Sequence, residues 1–437
     1  MKKVYIETYG CQMNEYDSEI VKTILEKENY AFTEQPQEAQ VIFLNTCSVR
    51  ENAHQKVHQR INEIKQLRRN NKGIILGVLG CMAQNLRQEL LEDKVGVDIV
   101  AGPDTYKKLP ALIDHVADTG EKDYALTLSE YETYSDIFPK PEGAVNAWLA
   151  VMRGCDNFCS FCVVPYTRGR ERSRDPYNVL EEVKQLAGQG IKQITLLGQN
   201  VNSYRYEKYD FADLIEIVSR VDGIRRIRFT SPHPKDFPEK LIEVVAENPK
   251  ACKHIHLPLQ AGNSRVLDMM NRTYSKESFL QLAARLRERI PGLSLTTDVI
   301  VGFPTETEEE FQDTLEVMRR VEFDAAFMFK YSERQHTIAS RQYPDDVPEE
   351  EKTSRITRLV ELQRQISFKR NQEHLGQTFE TLVEGPAKKH GQLSGRNDGN
   401  KIVVFPDNGA RPGDFVDVII KEVTANTLIG EVKSGNN

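Results

Sequence analysis

The chain has 437 residues, 39 % of them hydrophobic, which is enough for two or three domains with real cores. No apolar run approaches the ~20 residues that span a bilayer, and the lysine-led N-terminus continues into strand-like alternation rather than a signal-peptide core. A cytoplasmic protein with no membrane segment is therefore expected. The net charge of −7 argues against a protein that coats nucleic acid in bulk. It leaves room for local basic patches such as RGRERSR (168–174) and RRIR (225–228).

Residues 1–121 alternate short apolar runs with helical patterns. KVYIETYG, QVIFLNTCSV, KGIILGVLGC and VDIVAG read as strands, and EYDSEIVKTILEKENY and NAHQKVHQRINEIKQLRR read as helices. This order predicts an α/β domain with a parallel, doubly wound sheet. Residues 122–146 lose the rhythm, and the prolines of YSDIFPKPEGAVN suggest a linker. From 147 the alternation resumes, with strands at AWLAVM, QITLLG, IRRIRFTS, KHIHLPL, LSLTTDVIVG and AAFMFKY. Six such units fall short of a full eight-unit barrel, so an open, partial (βα)6 barrel is expected. One long amphipathic helix over 347–375 closes that domain, which spans 147–375. Residues 376–437 carry short alternating runs between turn residues, the pattern of a small all-β barrel of the oligonucleotide-binding kind.

The seven cysteines lie at 11, 47, 81, 155, 159, 162 and 252. An odd number in a large chain points to metal or redox chemistry rather than a disulfide framework. Cys155, Cys159 and Cys162 form C-x3-C-x2-C just after a strand, and no second C-x-x-C pair follows to complete a zinc site. Thiolates this tightly spaced suit an iron–sulfur cluster, and three of them leave one iron of a 4Fe-4S cluster open to a substrate or cofactor. Cys11, Cys47 and Cys81 are scattered in sequence, yet each ends a strand: YIETYGC, VIFLNTC and ILGVLGC. In a parallel sheet those ends share the edge where such folds bind ligands. Buried strand cysteines are also common as plain packing residues. The glycines before Cys11 and Cys81 allow a close backbone approach and favour the ligand reading. Cys252 reads as a small apolar residue.

The motif C-x3-C-x2-C with Phe161 before its last cysteine resembles the radical S-adenosylmethionine (SAM) signature. LLGQN (196–200) and VIVGFPTETEEE (299–310) resemble that superfamily's SAM-binding segments, which implies Phe161, Gln199, Asn200 and Gly302 at the cofactor. Taken whole, the chain resembles the radical SAM methylthiotransferases. TYGCQMNEYDSE, NTCSVRENA and GVLGCMAQ match their first domain, RGCDNFCSFCVVPYTRGRERSR and HLPLQAGNSRVLDMMNR their barrel, and LVEGPAKKHGQLSGRNDGNKIVVF their C-terminal TRAM domain. YGCQMN and CVVPYTRGRE resemble the branch that acts on isopentenyl-adenosine in tRNA, the MiaB type. Branches acting on threonylcarbamoyl-adenosine or on a ribosomal-protein aspartate are the alternatives, and a non-catalytic iron–sulfur RNA-binding protein is a remote one.

The resemblance implies two 4Fe-4S clusters, an auxiliary one on Cys11, Cys47 and Cys81 and the radical SAM one on Cys155, Cys159 and Cys162. It implies that SAM serves both as methyl donor and as source of a 5′-deoxyadenosyl radical, with sulfur delivered to carbon 2 of the adenine from the auxiliary cluster. No side chain is implied as a catalytic acid or base. The expected partners are tRNA, an electron donor such as flavodoxin or ferredoxin, and a sulfur or cluster supplier, with the chain a monomer. Arg168, Arg170, Arg172 and Arg174 at the barrel mouth, with Lys388, Lys389, Arg396 and Lys401 in the TRAM barrel, are the candidate tRNA contacts.

Overall fold

The computed structural model describes residues 2–47, 51–70, 73–141 and 145–433. Ser48, Val49 and Arg50 of the NTCSVRENA motif and residues 142–144 of the expected linker lie outside the described residues.

The first domain is a six-stranded, all-parallel sheet of β1 (Lys3–Tyr9), β2 (Ala31–Phe32), β3 (Val41–Thr46), β4 (Ile75–Gly80), β5 (Ile99–Ala101) and β6 (Asp123–Ala125), in the order β2-β1-β3-β4-β5-β6. β3 and β4 are buried at every residue, as strands covered on both faces must be. Val41 and Phe43 pack under the helices Gln12–Lys27 and Leu109–Thr119. Ile42 and Leu44 point the other way and pack against Val57, Ile61 and Ile64 of the helix Glu51–Asn70. The segment read as a linker from residue 122 corrects that reading: it supplies β6, and Tyr134 and Ile137 beyond it fill the first domain's core. Its prolines hid a chain that is irregular yet packed.

The second domain holds six parallel strands in two runs. β7 (Asn146–Ala150), β10 (Gln193–Leu197) and β13 (Arg226–Phe229) form one, with the small pairs β8 (Met152–Arg153) with β9 (Arg172–Ser173) and β11 (Arg205–Tyr206) with β12 (Tyr209–Asp210) in its loops. β14 (His254–His256), β15 (Ser294–Val301) and β16 (Ala325–Lys330) form the other. A single parallel bridge, Ile227 to Ala251, joins the runs. The result is the expected open half-barrel, its outer face packed against helices. The long helix Glu349–Gln372 lies along β16. Its buried stripe is mainly polar: Gln363 Nε2 donates to Phe323 O (2.8 Å) and Ser367 Oγ to Asp324 O (3.0 Å), capping barrel carbonyls.

The third domain is a closed five-stranded barrel, β17 (Thr378–Pro386), β18 (Gln392–Arg396), β19 (Ile402–Pro406), β20 (Phe415–Val423) and β21 (Thr427–Val432), around Val383, Val403, Phe405 and Val418. The RRIR patch hooks it to the half-barrel. Arg228 donates to Asn397 O (2.6 Å) and Asp398 O (2.8 Å), Arg226 donates to Arg396 O (2.8 Å) and Glu380 O (2.6 Å), and Arg225 stacks on Phe415. Among the described residues no helix is long and apolar enough to cross a membrane.

Candidate active site

Three adjacent strands, β1, β3 and β4, end at Cys11, Cys47 and Cys81, so one edge of the sheet carries all three thiols. The glycines before Cys11 and Cys81 are sterically required. A Cβ on Gly10 would meet Cys47 Cβ at 2.6 Å, and one on Gly80 would collide with Asn45 Oδ1, both at positive φ. A buried amide layer supports this edge. Asn45 Nδ2 donates to Asn14 O (2.8 Å) and Ser18 Oγ (2.9 Å), Asn14 Nδ2 donates to Asn45 Oδ1 (3.2 Å), and Cys11 Sγ lies 3.3 Å from Asn14 Oδ1. Cys11 caps the helix Gln12–Lys27. Its pKa is drawn down to about 6 by the hydrogen bond with Cys47, then by the charge of Arg168 and the helix's first amides, against burial. Burial pushes Cys81 up although Arg168 opposes it.

Cys155, Cys159 and Cys162 sit on the loop after β8, near the carboxyl edge of the half-barrel. Ser160 N and Oγ donate to Met270 O (2.9 Å) and Met269 O (2.8 Å), and Asn271 Nδ2 reaches Phe158 O (3.0 Å), which ties the loop to residues 269–272. Arg272, buried, donates from Nη1 to Cys159 Sγ (3.2 Å). Burial lifts Cys155 to about 12, and Cys162 rises for the same reason. Ligation would have to displace those protons. Among the described residues no three Cys, His, Asp or Glu side chains converge on one point as a single metal ion would need. A polynuclear cluster asks for wider spacing, because each thiolate meets a different iron.

The two cysteine sets adjoin through Arg168. It ends the short helix Val164–Arg168 that follows Cys162, and it donates from Nε to Cys81 Sγ (3.1 Å) and from Nη2 to Asp17 Oδ2 (2.8 Å). Asp17 also takes Arg153 Nη2 (2.7 Å) and Tyr106 Oη (3.3 Å). Burial alone would raise the Asp17 carboxyl, but the two guanidiniums overturn that and hold it below the usual carboxylate range. The same interface pairs Arg172 with Asp104 (3.0 Å), while Arg174 pairs with Glu182 of its own domain (2.7 Å) and donates across the interface from Nη1 to Tyr16 Oη (3.2 Å), all of them buried side chains. Arg168, Arg172 and Arg174 therefore lock the first domain to the second and cannot reach a phosphate, which corrects the basic-patch reading. Arg170 alone of the four is exposed, pairing with Asp156 and standing over Phe158. Lys401 is also corrected: its Nζ is committed to Asp324 (2.8 Å) and Asn371 (2.8 Å) at the seam between barrel and half-barrel. Arg396 bonds Glu384 (3.1 Å) and Asn400 O (3.0 Å) within its own barrel. Lys388 and Lys389 stay exposed in the β17–β18 turn.

After β10, Asn200 donates from Nδ2 to Asp236 (2.9 Å), while its Oδ1 and Gln199 Oε1 are buried with no partner. Two orphaned acceptors just past the carboxyl end of β10 suit a bound molecule carrying N–H donors. Phe161 is half-buried against the apolar cluster that contains Met270, Phe303 and Tyr331. Gly302 gives its amide to Glu306 (2.6 Å), and a Cβ there would meet Lys352, so it shapes the turn after β15. Sequence reading passed over Asn14, Asp17, Asn45 and Arg272, although each lies in or beside a quoted motif.

Residues 3–102 match the family model described as Uncharacterized protein family UPF0004, 149–318 the Radical SAM superfamily and 372–433 the TRAM domain. The tRNA-2-methylthio-N(6)-dimethylallyladenosine synthase of Chloroherpeton thalassium is 48 % identical over 431 residues, covering 98 % of this chain and 95 % of its own. The synthase of that name from Porphyromonas gingivalis is 47 % identical over 441 residues, covering 99 % and 95 %. The chain belongs to the tRNA-2-methylthio-N(6)-dimethylallyladenosine synthase family. Membership makes it a radical SAM enzyme, with SAM and 4Fe-4S clusters as cofactors. The radical SAM methyltransferase TsrM from Kitasatospora setae, 16 % identical, superimposes with a TM-score of 0.58 over 78 % of this chain and 75 % of its own. The cobalamin-dependent radical enzyme OxsB, 13 % identical, gives 0.56 over 82 % and 56 %. Both are likenesses of fold.

Proposed function

We infer that this chain places a methylthio group on carbon 2 of N(6)-isopentenyl-adenosine beside the anticodon of tRNA. The observation that carries the reading is Arg168, which brings a cysteine of one set within 3.1 Å of the helix that follows the other. Two sites so joined can serve one base in turn. Cys155, Cys159 and Cys162 would hold the radical SAM cluster, and Cys11, Cys47 and Cys81 the auxiliary one; both sets offer soft thiolate donors. When bound, these groups and SAM supply the electron, the radical, the methyl group and the sulfur that the unactivated C–H bond requires.

The chain's own residues prepare the space. Arg272 donates to Cys159, and Arg168 sets a fixed positive charge against Cys81 that opposes the effect of burial there. The orphaned oxygens of Gln199 and Asn200 would receive N–H groups of SAM. The buried ion-pair layer of Asp17, Arg153, Arg172 and Asp104 fixes the two domains against each other, so the distance between the sets is held. Arg170, Lys388 and Lys389 remain for tRNA phosphates, and the target base would be drawn out of the loop to reach the site. A flavodoxin or ferredoxin as electron donor, a separate sulfur supplier, a monomeric state and a cytoplasmic setting complete the proposal.

Nucleoside mass spectrometry of tRNA from cells lacking the protein tests it. Loss of methylthio-isopentenyl-adenosine is expected. An unchanged level, with loss of methylthio-threonylcarbamoyl-adenosine or of a methylthio-aspartate instead, would move the enzyme to another branch.

A further inference from the structure

The half-barrel ends at β16, and its inner face there is neither core nor ordinary surface. Along β15, Leu295, Val299 and Val301 pack outward into the helical core, while Thr296, Asp298 and Ile300 are half-buried on the inner face. The register sets Ala325 beside Thr296, Phe327 beside Asp298 and Phe329 beside Ile300. Ala326 and Met328 pack on the helical side, so Phe327 and Phe329 stand on the inner face, 55 % and 39 % exposed. Two phenylalanines held out to solvent side by side mark a binding surface more than a packing one.

A directed row of polar groups runs into the same face. His254 Nε2 lies 3.1 Å from Thr296 Oγ1, which lies 2.9 Å from His256 Nδ1, and His256 Nε2 lies 3.0 Å from Asp298 Oδ2. Burial keeps His254 neutral. For a neutral His256, Nε2–H donates to the Asp298 carboxylate, so Nδ1 accepts from the Thr296 hydroxyl, whose oxygen accepts from His254 Nε2–H. The row holds Asp298 in place, with His256 also edge-on to Phe327 at 5.9 Å. Asp298 Oδ1 accepts nothing from the described residues.

Resting on the substrate reading above, we propose that this inner face of β15 and β16 receives the modified edge of the target base, with Asp298 accepting the N6–H and Phe327 and Phe329 covering the isopentenyl branch. An anionic oxygen flanked by two rings suits a neutral N–H donor carrying an apolar branch and repels a phosphate.

The test uses reconstituted holoenzyme and two anticodon stem-loop RNAs, one carrying N(6)-isopentenyl-adenosine and one plain adenosine. Affinity is measured for each RNA and for SAM. Wild type should prefer the prenylated RNA. Phe327→Ala with Phe329→Ala should cut that preference about ten-fold, leaving SAM and plain-RNA affinity unchanged. Asp298→Asn should weaken both RNAs, since both carry the N6–H. An undiminished preference in the phenylalanine variant overturns the inference, and so does a parallel loss of SAM affinity, which would give this face to the cofactor. A wild type with no preference and no methylthio product would instead overturn the substrate reading on which the inference rests.

Discussion

Asp17→Asn should uncouple the first domain from the half-barrel. Asp17 is fully buried and is the shared counter-charge of Arg153 and Arg168, 1 % and 3 % exposed, at 2.7 and 2.8 Å. The substitution keeps the shape and one acceptor oxygen but removes the charge, leaving two buried guanidiniums without it. Breaking one buried pair this way costs ~3–5 kcal/mol. Two pairs sharing one carboxylate do not add, so the expected loss is about 4 kcal/mol. Trp148, the chain's single tryptophan, lies on β7 and packs against the first domain's core, so its fluorescence reports this junction. At a slope of ~3 kcal/mol per M urea, the transition it reports should fall by about 1.3 M. Asp114→Asn is the control: it breaks the exposed Lys2–Asp114 pair (3.1 Å), and a surface pair of this kind contributes ~0–1 kcal/mol. A midpoint for Asp17→Asn equal to the control's would refute the claim that this charge layer joins the domains.

Three further outcomes are expected. Lys388→Ala and Lys389→Ala should each flatten the salt dependence of tRNA binding by about one unit of slope, whereas Arg172→Met should leave the slope of any folded fraction unchanged; equal effects would return Arg172 to the RNA face. Burial holds His233 down at about 2, so its contribution to stability is complete above about pH 6.5 and is lost as pH falls below that towards 2. His233→Asn, which keeps an acceptor for Lys235 N, should reduce the acid slope of unfolding free energy by about 1.4 kcal/mol per pH unit, and an unaltered slope would show that His233 is not neutral in the folded state. Arg228→Met should release the C-terminal barrel, seen as faster proteolysis between 372 and 378 with SAM cleavage retained; unchanged protection would mean the RRIR hook is dispensable.

Strand ends were legible because the short apolar runs VYI, VIFL and ILGVL lie just ahead of Cys11, Cys47 and Cys81, and parallel strands place their carboxyl ends together. The C-x3-C-x2-C loop was legible because it is local. Arginines were not. RGRERSR looks like a basic patch until its partners are known, and Asp17, Asp104 and Glu182 come from three separate elements. Lys401 misled in the same way, since Asp324 is reached only by docking two domains. Charge in a sequence has a sign but no depth. At Gly302 the motif marked the turn, but the hydrogen bond from its amide to Glu306, four residues on, is seen only in the fold. The inner face of β16 went unread because exposed and core phenylalanines look alike in AAFMFKY.

Iron and acid-labile sulfide per chain, measured after anaerobic reconstitution, test the central claim that both cysteine sets hold clusters. The wild type should carry about eight irons, and replacing either Cys11, Cys47 and Cys81 or Cys155, Cys159 and Cys162 by alanine should leave about four. About four in the wild type, unchanged when Cys11, Cys47 and Cys81 are replaced, would reduce that first set to packing residues and contradict the account.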